Sequence, residues 1–271
     1  MYVYYIYTPV VAHRMRTLFS ILILAIPFFM KGQETAEPIL KVQSGNWWTY
    51  VGAYLTPELA FRTLKNNDGG QISEDVIESR NDRETMKFGY TSGLTIECIF
   101  RKNFGFETGI SYSNHGYQTK KEELVFGDII DPRRGFNYTL DGTASHAKFI
   151  DHFEYIGIPI AFKYLGGNWL ETWRFSASVG CTTNYLIRAS STLVLYYEDD
   201  SPGRSNQTSE TEFEKFNLTP FIGAGIDYQL NPKMRLSAMP TLRYGVLDII
   251  DTPITGKLYS GGIQFRWYMN L

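Results

Sequence analysis

The last thirteen residues of the chain alternate between apolar and polar side chains. The apolar set comprises Tyr259, Gly261, Ile263, Phe265, Trp267, Met269 and Leu271, and the polar set comprises Ser260, Gly262, Gln264, Arg266, Tyr268 and Asn270. A repeat of two residues predicts a β-strand with one apolar and one polar face. Such a strand either buries its apolar face in a soluble protein or presents it to lipid.

Similar alternation recurs along the chain and predicts eight strands. They lie at about 47–61, 86–100, 104–117, 151–165, 171–187, 213–230, 234–247 and 258–271. Each is longer than the roughly nine to eleven residues that a tilted strand needs to cross a bilayer. Pro159 and Pro220 lie inside strands, and we expect local bulges there because proline removes a ladder donor. No long helix is expected in this part of the chain.

Tight and longer breaks alternate between these strands. The tight breaks are Arg101-Lys102-Asn103, Gly166-Gly167-Asn168 and Asn231-Pro232-Lys233, and the longer ones lie at about 65–84, 119–149, 188–212 and 248–257. Short turns at one end and longer loops at the other are typical of outer-membrane barrels. We therefore predict an all-β fold, an eight-stranded antiparallel up-and-down transmembrane β-barrel with short periplasmic turns and longer extracellular loops, over residues 47–271.

The N-terminal residues have the pattern of an export signal. Basic residues up to Arg16 precede an apolar run from Leu18 to Met30, and a polar stretch begins at Glu34. A basic region followed by a short apolar core is typical of secretory signals, and the run is shorter than the about 20 residues of a spanning helix. We predict a leader and signal peptide over 1–33 with cleavage near Gly32 or Gln33, a short periplasmic segment over 34–46, and localisation in the cell outer membrane. A retained anchor helix is the alternative.

Composition agrees with a barrel and argues against nucleic acid as a partner. The formal net charge is -2 and the sequence pI is about 6.1, whereas a nucleic-acid-binding domain needs a basic stripe. The mean hydropathy of -0.21 is too polar for a helical membrane protein. A barrel has this polarity because half of each strand faces the lumen. Cys98 and Cys181 share the parity of the apolar faces and are interpreted as small apolar residues.

Charged residues on the polar faces are predicted to line the lumen. They are Glu97, Arg101, Glu107, Lys163, Arg174, Asp227, Arg235, Arg243 and Arg266. An eight-stranded barrel is just wide enough for side chains to fill it, and buried charges need partners. We therefore expect a paired, plugged interior. A narrow path for ions or small solutes is the alternative.

Candidate catalytic chemistry is sparse. His115 follows Ser113-Asn114, and His152 follows Asp151, near the outer ends of two strands, where a Ser–His–acid arrangement could cleave a lipid ester. His146, Asp151, His152 and Glu154 contain no short metal-ligand repeat. We assign no catalytic residues, no metal ligands and no cofactor, and expect the protein not to be an enzyme.

Three segments resemble the PorT-like outer-membrane β-barrel family of Bacteroidota. Residues 155–164 (YIGIPIAFKY) are similar to a family strand with a central Ile-Pro and a closing Lys-Tyr, and residues 221–228 (FIGAGIDY) resemble its glycine-rich sixth strand. The terminal strand is also similar. The resemblance implies an eight-stranded barrel, and one named relative takes part in a secretion system. The family often has Glu where this chain has Gly157, so no role for that carboxylate transfers.

The resemblance and the pattern together indicate a non-enzymatic structural or accessory barrel with a plugged lumen, and a secretion or assembly machine is the system that it would serve. We expect Ile263, Phe265, Trp267, Met269 and Leu271 to face lipid as an insertion strand. Expected partners are outer-membrane lipid and lipopolysaccharide, periplasmic chaperones, the barrel-insertion machinery and secretion-complex proteins. The alternatives are a porin-like channel, a lipid-modifying enzyme, and a soluble lipocalin-like barrel with its apolar faces turned inward.

Overall fold

The computed structural model describes residues 47–123, 144–167, 172–197, 202–208, 213–250 and 252–271. The signal peptide, its cleavage site and the 34–46 segment lie outside these ranges. The elements are β1 (Trp47–Asn66), α1 (Gln71–Arg83), β2 (Glu84–Phe100), β3 (Phe104–Thr119), β4 (Glu122–Glu123), β5 (Ala144–Leu165), β6 (Trp173–Tyr197), β7 (Pro202–Thr208), β8 (Phe216–Asn231), β9 (Met234–Tyr244) and β10 (Ile254–Asn270).

Eight of the strands form a closed antiparallel ring. Its order is β1-β2-β3-β5-β6-β8-β9-β10, and β10 returns to pair with β1 over the register from Tyr50↔Asn270 to Asn66↔Ile254. The short strands β4 and β7 lie outside the ring, where β4 pairs with β5 and β7 pairs with β6. The predicted all-β fold with eight antiparallel ring strands is therefore confirmed.

Alternate residues of each ring strand point to opposite sides of the wall. In β2, for example, Thr91, Thr95 and Glu97 are buried, whereas Leu94 and Ile96 are exposed. The apolar set faces outward because a strand repeats every two residues and the polar set fills the interior. The apolar-in arrangement of a lipocalin-like barrel is thereby wrong for this chain.

Aromatic belts mark both ends of the exposed apolar wall. We call the end with the tight turns the turn end and the opposite end the loop end. Ring pairs at the turn end are Trp47–Phe100, Phe100–Phe104, Phe104–Tyr164 and Trp173–Tyr228, and those at the loop end are Phe61–Tyr259, Tyr244–Tyr259, Tyr90–Tyr112 and Tyr185–Phe216. Two aromatic girdles that flank an aliphatic band are characteristic of barrels that cross a bilayer.

Helix α1, in the first long loop, was not expected from the sequence. Its residues are polar on most sides, so it lacks the apolar stripe that makes a helix recognisable. Its start is fastened by Asp68, whose carboxylate accepts hydrogen bonds from the Gly70 amide at 2.8 Å and the Ser73 hydroxyl at 2.9 Å. Within the described ranges, no helix combines the length and apolarity needed to cross a membrane.

The strands continue through both prolines without bulges, contrary to the sequence prediction. Pro159 pairs with Thr182, and Pro220 pairs with Cys181, in an unbroken register. The missing donor is accommodated by a gap in the ladder instead, since pairing of β3 with β5 passes from Thr108↔Ile160 to Ser111↔Gly157 without a change of register. A single lost ladder bond costs the sheet less than a shift that would turn every side chain to the wrong face.

Candidate functional site

Six charged side chains from six different strands meet inside the ring near the turn end. This lower charge cluster consists of Glu97, Glu107, Lys163, Asp227, Arg235 and Arg266, and each residue is at most 3% exposed. Three carboxylates therefore face three cations. The period of the strands brings these side chains inward, and the ring closure brings them together.

Direct contacts pair the charges of the lower cluster. The Lys163 ammonium lies 2.8 Å from Asp227 and 3.6 Å from Glu97. The Arg235 guanidinium binds Glu97 and lies 3.2 Å from Asp227, while Arg266 lies 3.4 Å from Glu107. Buried charges are tolerated when each has an opposite partner and hydrogen bonds. Every charge of the cluster has an opposite partner, while Glu97 Oε1 and the Nε atoms of Arg235 and Arg266 have no hydrogen bond of their own.

Tyrosine rings fill the space beside these charges. The Tyr268 hydroxyl donates a hydrogen bond of 2.5 Å to Glu107. The Arg235 guanidinium lies over the rings of Tyr268 and Tyr50, at 4.3 and 4.8 Å from their centroids. The sequence pattern placed Tyr268 on the polar face but assigned it no role. Tyr268 could have been predicted to face the interior, because it lies two residues from Arg266 along the same strand.

Three other predicted lumen charges have different surroundings. Arg174 is buried at the turn end, where its guanidinium donates to the carbonyls of Lys102 and Leu165 at 2.9 and 2.8 Å and so ties two turn regions together. Arg101 is a correction, because it is exposed within the tight turn with φ of 51°. A turn residue no longer follows the alternation of the strand before it. Arg243 belongs to a second cluster.

The second cluster surrounds Glu58, which the sequence analysis did not single out. The Glu58 carboxylate is 2% exposed and accepts hydrogen bonds from Thr91 at 2.5 Å and Ser260 at 2.7 Å. His115 Nε2 lies 2.7 Å from Glu58, and Arg243 Nε lies 3.6 Å from it. Glu58 could have been found from the sequence, because it is a carboxylate in the middle of a predicted strand and alternates in step with the buried residues.

The Glu58 cluster lacks the arrangement of an esterase relay. His115 uses Nε2 for its contact with Glu58 and for its 3.2 Å contact with Thr91. A catalytic histidine needs one ring nitrogen toward the acid and the other toward the nucleophile. Among the described residues, no three His, Cys, Asp or Glu side chains are grouped as metal ligands would be.

Gly157 faces the interior where the resembled family often has Glu. A Cβ at this position would lie 2.4 Å from the Asn184 Oδ1 atom and 2.7 Å from Thr182 Cγ2. Here the Asn184 side chain occupies the space that a longer residue at position 157 would need. Glycine at position 157, where the family often has Glu, is therefore accompanied by a larger side chain, Asn184, on the neighbouring strand β6.

A buried apolar cluster, which we call the plug, lies at the loop end of the lumen. It consists of Tyr117, Phe153, Tyr155, Ile249 and Leu258, all buried against one another. Ile249 comes from the segment between β9 and β10. Its backbone amide donates to Gly256 at 2.9 Å, and its carbonyl accepts from Glu214 at 3.0 Å. The plug and the two clusters therefore occupy successive levels of the interior, from the loop end to the turn end.

The terminal strand has the orientation that its pattern indicates. Its buried side chains include Ser260, Gln264, Arg266 and Tyr268. Its exposed side chains are Ile263, Phe265, Trp267, Met269 and Leu271, the last lying one residue beyond the end of β10. Whether these residues direct membrane insertion stays a prediction.

A closed antiparallel ring with a polar interior and an apolar wall between aromatic belts defines a β-barrel of the outer-membrane class. The chain belongs to the family described as outer membrane protein beta-barrel domain, whose model matches residues 58–251. The particular PorT-like assignment remains a resemblance.

Several solved barrels are similar to the chain. Neisserial surface protein A has 11% identity and a TM-score of 0.38, over 82% of this chain and 96% of that one. The outer membrane protease OmpT from Escherichia coli has 8% identity and a TM-score of 0.36, over 83% and 97%. A major outer membrane protein from Thermus thermophilus has 11% identity and a TM-score of 0.37, over 80% and 99%. No curated protein matches, and these likenesses assign no activity.

Proposed function

We propose that the protein is a non-enzymatic structural or accessory outer-membrane barrel with a plugged lumen, and that its outer loops are its working surface. The observation that supports this most is the lower charge cluster. The PorT-like resemblance points further, to service in a secretion or assembly machine. Export would use the predicted signal, with cleavage near Gly32 or Gln33, and insertion would use periplasmic chaperones and the insertion machinery.

Pairing of the buried charges argues against a conducting path. An ion that crossed the cluster would have to separate Lys163 from Asp227, 2.8 Å away, and Arg235 from Asp227 and Glu97. Breaking one partner out of a buried ion pair costs about 3–5 kcal/mol. The rings of Tyr50 and Tyr268, which lie beside Arg235, also support a plugged interior.

Conductance in planar bilayers tests the plugged lumen. We expect the purified wild-type protein to give no conductance steps. The charge-balanced double variant Glu97→Ala/Arg235→Ala should give steps, because it removes two large side chains while Lys163 and Asp227 remain paired. Arg101→Ala, which changes an exposed turn residue, is the control and should be silent. Regular steps from the wild type would contradict the proposal and favour the channel.

Isolation from outer membranes tests the accessory role. The tagged full-length chain should co-purify with a stable set of envelope proteins in a large complex. Recovery of the barrel alone, under conditions that preserve other envelope complexes, would contradict this role. Lipid hydrolysis by the purified wild type that is lost in His115→Ala would instead support the enzyme alternative.

A further inference from the structure

The outer wall contains an apolar groove near the loop end, which extends from β6 across β8, β9, β10 and β1 to β2. The groove has a volume of about 590 Å³ and is lined by Leu59, Phe61, Ile222, Leu242, Tyr244 and Gly261, among others. Leu59, Ile222 and Leu242 are exposed. Volumes of this size are typical of small-molecule sites, which are concave and mostly apolar.

Gly261 forms part of the groove floor by leaving space empty. A Cβ at Gly261 would meet a single neighbour, the Leu242 Cδ2 atom at 3.2 Å. The adjacent Gly262, by contrast, faces inward, where a Cβ would lie 2.2 Å from the carbonyl oxygen of Pro57. Close backbone packing therefore accounts for Gly262 but does not account for Gly261. The missing side chain at 261 opens the wall on its outer side.

Aromatic rings and lysines border the loop end of this groove. Tyr259 stacks on Phe61 at 5.2 Å and contacts Tyr244 at 4.6 Å between ring centroids. Lys257 holds its ammonium 5.8 Å from the centroid of the Tyr244 ring. Lys257 pairs with Thr63 in the ladder, so Lys65 is its diagonal neighbour on the same face. Such neighbours lie about 7–8 Å apart, close enough to contact one phosphate.

We propose that this groove binds a phosphate-bearing lipid of the outer leaflet, with an acyl chain over Gly261 and the phosphate at Lys257 and Lys65. The order of the parts matches that of a lipid. Aliphatic residues lie toward the middle of the wall, tyrosines lie at the depth of the interface, and the ammonium groups lie beyond them. Lysine binds phosphate as a point charge, and aromatic residues favour the interfacial depth. The site is independent of whether the lumen conducts.

Native mass spectrometry of the full-length protein in mixed micelles tests the site. The probes are phosphatidylglycerol, which is anionic, and phosphatidylcholine, whose phosphate charge is balanced. The wild type should retain phosphatidylglycerol in preference. Lys65→Ala/Lys257→Ala should weaken that retention about tenfold, the size of one lost charged hydrogen bond, and should leave phosphatidylcholine unchanged.

A variant that fills the groove should affect lipid retention differently from the variant that removes the lysines. Gly261→Leu should lower retention of both lipids, because it occupies the acyl position. Its control is Ala224→Leu, which adds three carbon atoms where Gly261→Leu adds four, at an exposed position of β8 nearer the turn end. Lys148→Ala, at the loop end of β5 on another part of the wall, is the control for the lysines. Folding of every variant is checked by heat-modifiable migration on SDS gels.

Equal retention of the two lipids by the wild type would overturn the proposal. So would an equal loss in Lys148→Ala and in the double lysine variant, since that would show general attraction to charge. If Gly261→Leu folds and retains phosphatidylglycerol as the wild type does, the groove is not the acyl site.

Discussion

At the scale of single residues, Arg235 illustrates how a barrel interior keeps a buried cation. Its guanidinium contacts two carboxylates, Glu97 and Asp227, and lies over two tyrosine rings. The parity of Arg235 in the sequence predicts that it faces inward. One partner, Asp227, lies in β8 across the tight turn from Arg235, whereas Glu97 comes from β2 and is distant in the sequence. The pairing with Glu97 is therefore a property of the ring.

Arg235→Ala should destabilise the barrel by about 3–5 kcal/mol, because it leaves two carboxylates facing one remaining lysine in a buried site. Urea unfolding in detergent micelles would measure the loss. Arg101→Ala, with the same change of side chain at an exposed position, should stay within about 0.5 kcal/mol of the wild type. Equal effects of the two substitutions would show that the cluster adds no particular stability.

Tyr268→Phe removes the hydroxyl that donates to Glu107 and keeps the ring that packs against Arg235. The expected loss is about 1–3 kcal/mol, since a buried carboxylate loses a hydrogen-bond donor. The same unfolding measurement applies. Tyr228→Phe, on the outer wall against Trp173, is the matched control and should change little.

At the scale of elements, segments outside the ring depend on local contacts that the alternation does not reveal. Helix α1 begins beside Asp68, and the Ile249 segment reaches into the lumen mouth. Helix α1 has no apolar stripe, and the Ile249 segment is too short to show a repeat of apolar residues. Both were therefore assigned to loops from the sequence, although each has a defined contact in the structure.

The start of α1 should depend on pH. The hydrogen bond from the Gly70 amide holds the pKa of Asp68 below its ordinary value. A lowered pKa means that the carboxylate stabilises the helix start above its ordinary pKa, and that this stabilisation is lost as pH falls through the lowered pKa. Hydrogen-exchange protection of residues 70–74, corrected for intrinsic rates, should fall in acid.

Asp68→Asn gives the control for this pH dependence. The amide retains an acceptor but does not titrate near these pH values. Protection of residues 70–74 should therefore stay level in the variant over the pH range in which it falls in the wild type. An unchanged fall in the variant would assign the pH dependence to another group.

The plug should contribute stability through Ile249. Ile249→Ala is expected to cost about 2–5 kcal/mol because it leaves a cavity among buried aromatic rings. Leu247→Ala, at an exposed position two residues earlier, should cost much less. Unfolding midpoints of the two variants provide the comparison, and similar midpoints would mean that the mouth repacks.

At the scale of the whole molecule, closure of the ring between β1 and β10 controls everything inside it. This seam pairs the first ring strand with the last over fifteen residue pairs. A closed ring leaves no free edge within a membrane, where unpaired backbone groups are costly. The outer strand β7 pairs with β6 alone and takes no part in closure.

Truncation after Tyr259 should therefore abolish the heat-modifiable form and recovery in the outer-membrane fraction, because it removes most of the seam. Deletion of Pro202–Thr208 removes the seven residues of β7 and should preserve both properties. Loss of both properties in the β7 deletion would show that the outer sheet is needed for assembly. A truncated chain that still folds would show that the seam is dispensable.

The sequence alone determined the class of fold, because the apolar–polar alternation within strands and the alternation of tight and longer breaks between them are local and recur along the chain. It correctly indicated eight ring strands and the inward parity of most of the charged residues, and its errors at Arg101, Pro159 and Pro220 came where local geometry departs from an ideal strand. Tertiary structure alone decided which charges pair, that Glu58 gathers Thr91, His115 and Ser260, and that Gly261 opens a groove in the wall. Contacts such as Arg235 with Glu97 and Ser260 with Glu58 join strands that are distant in the chain, so the register around the closed ring specifies them and no spacing along the sequence does.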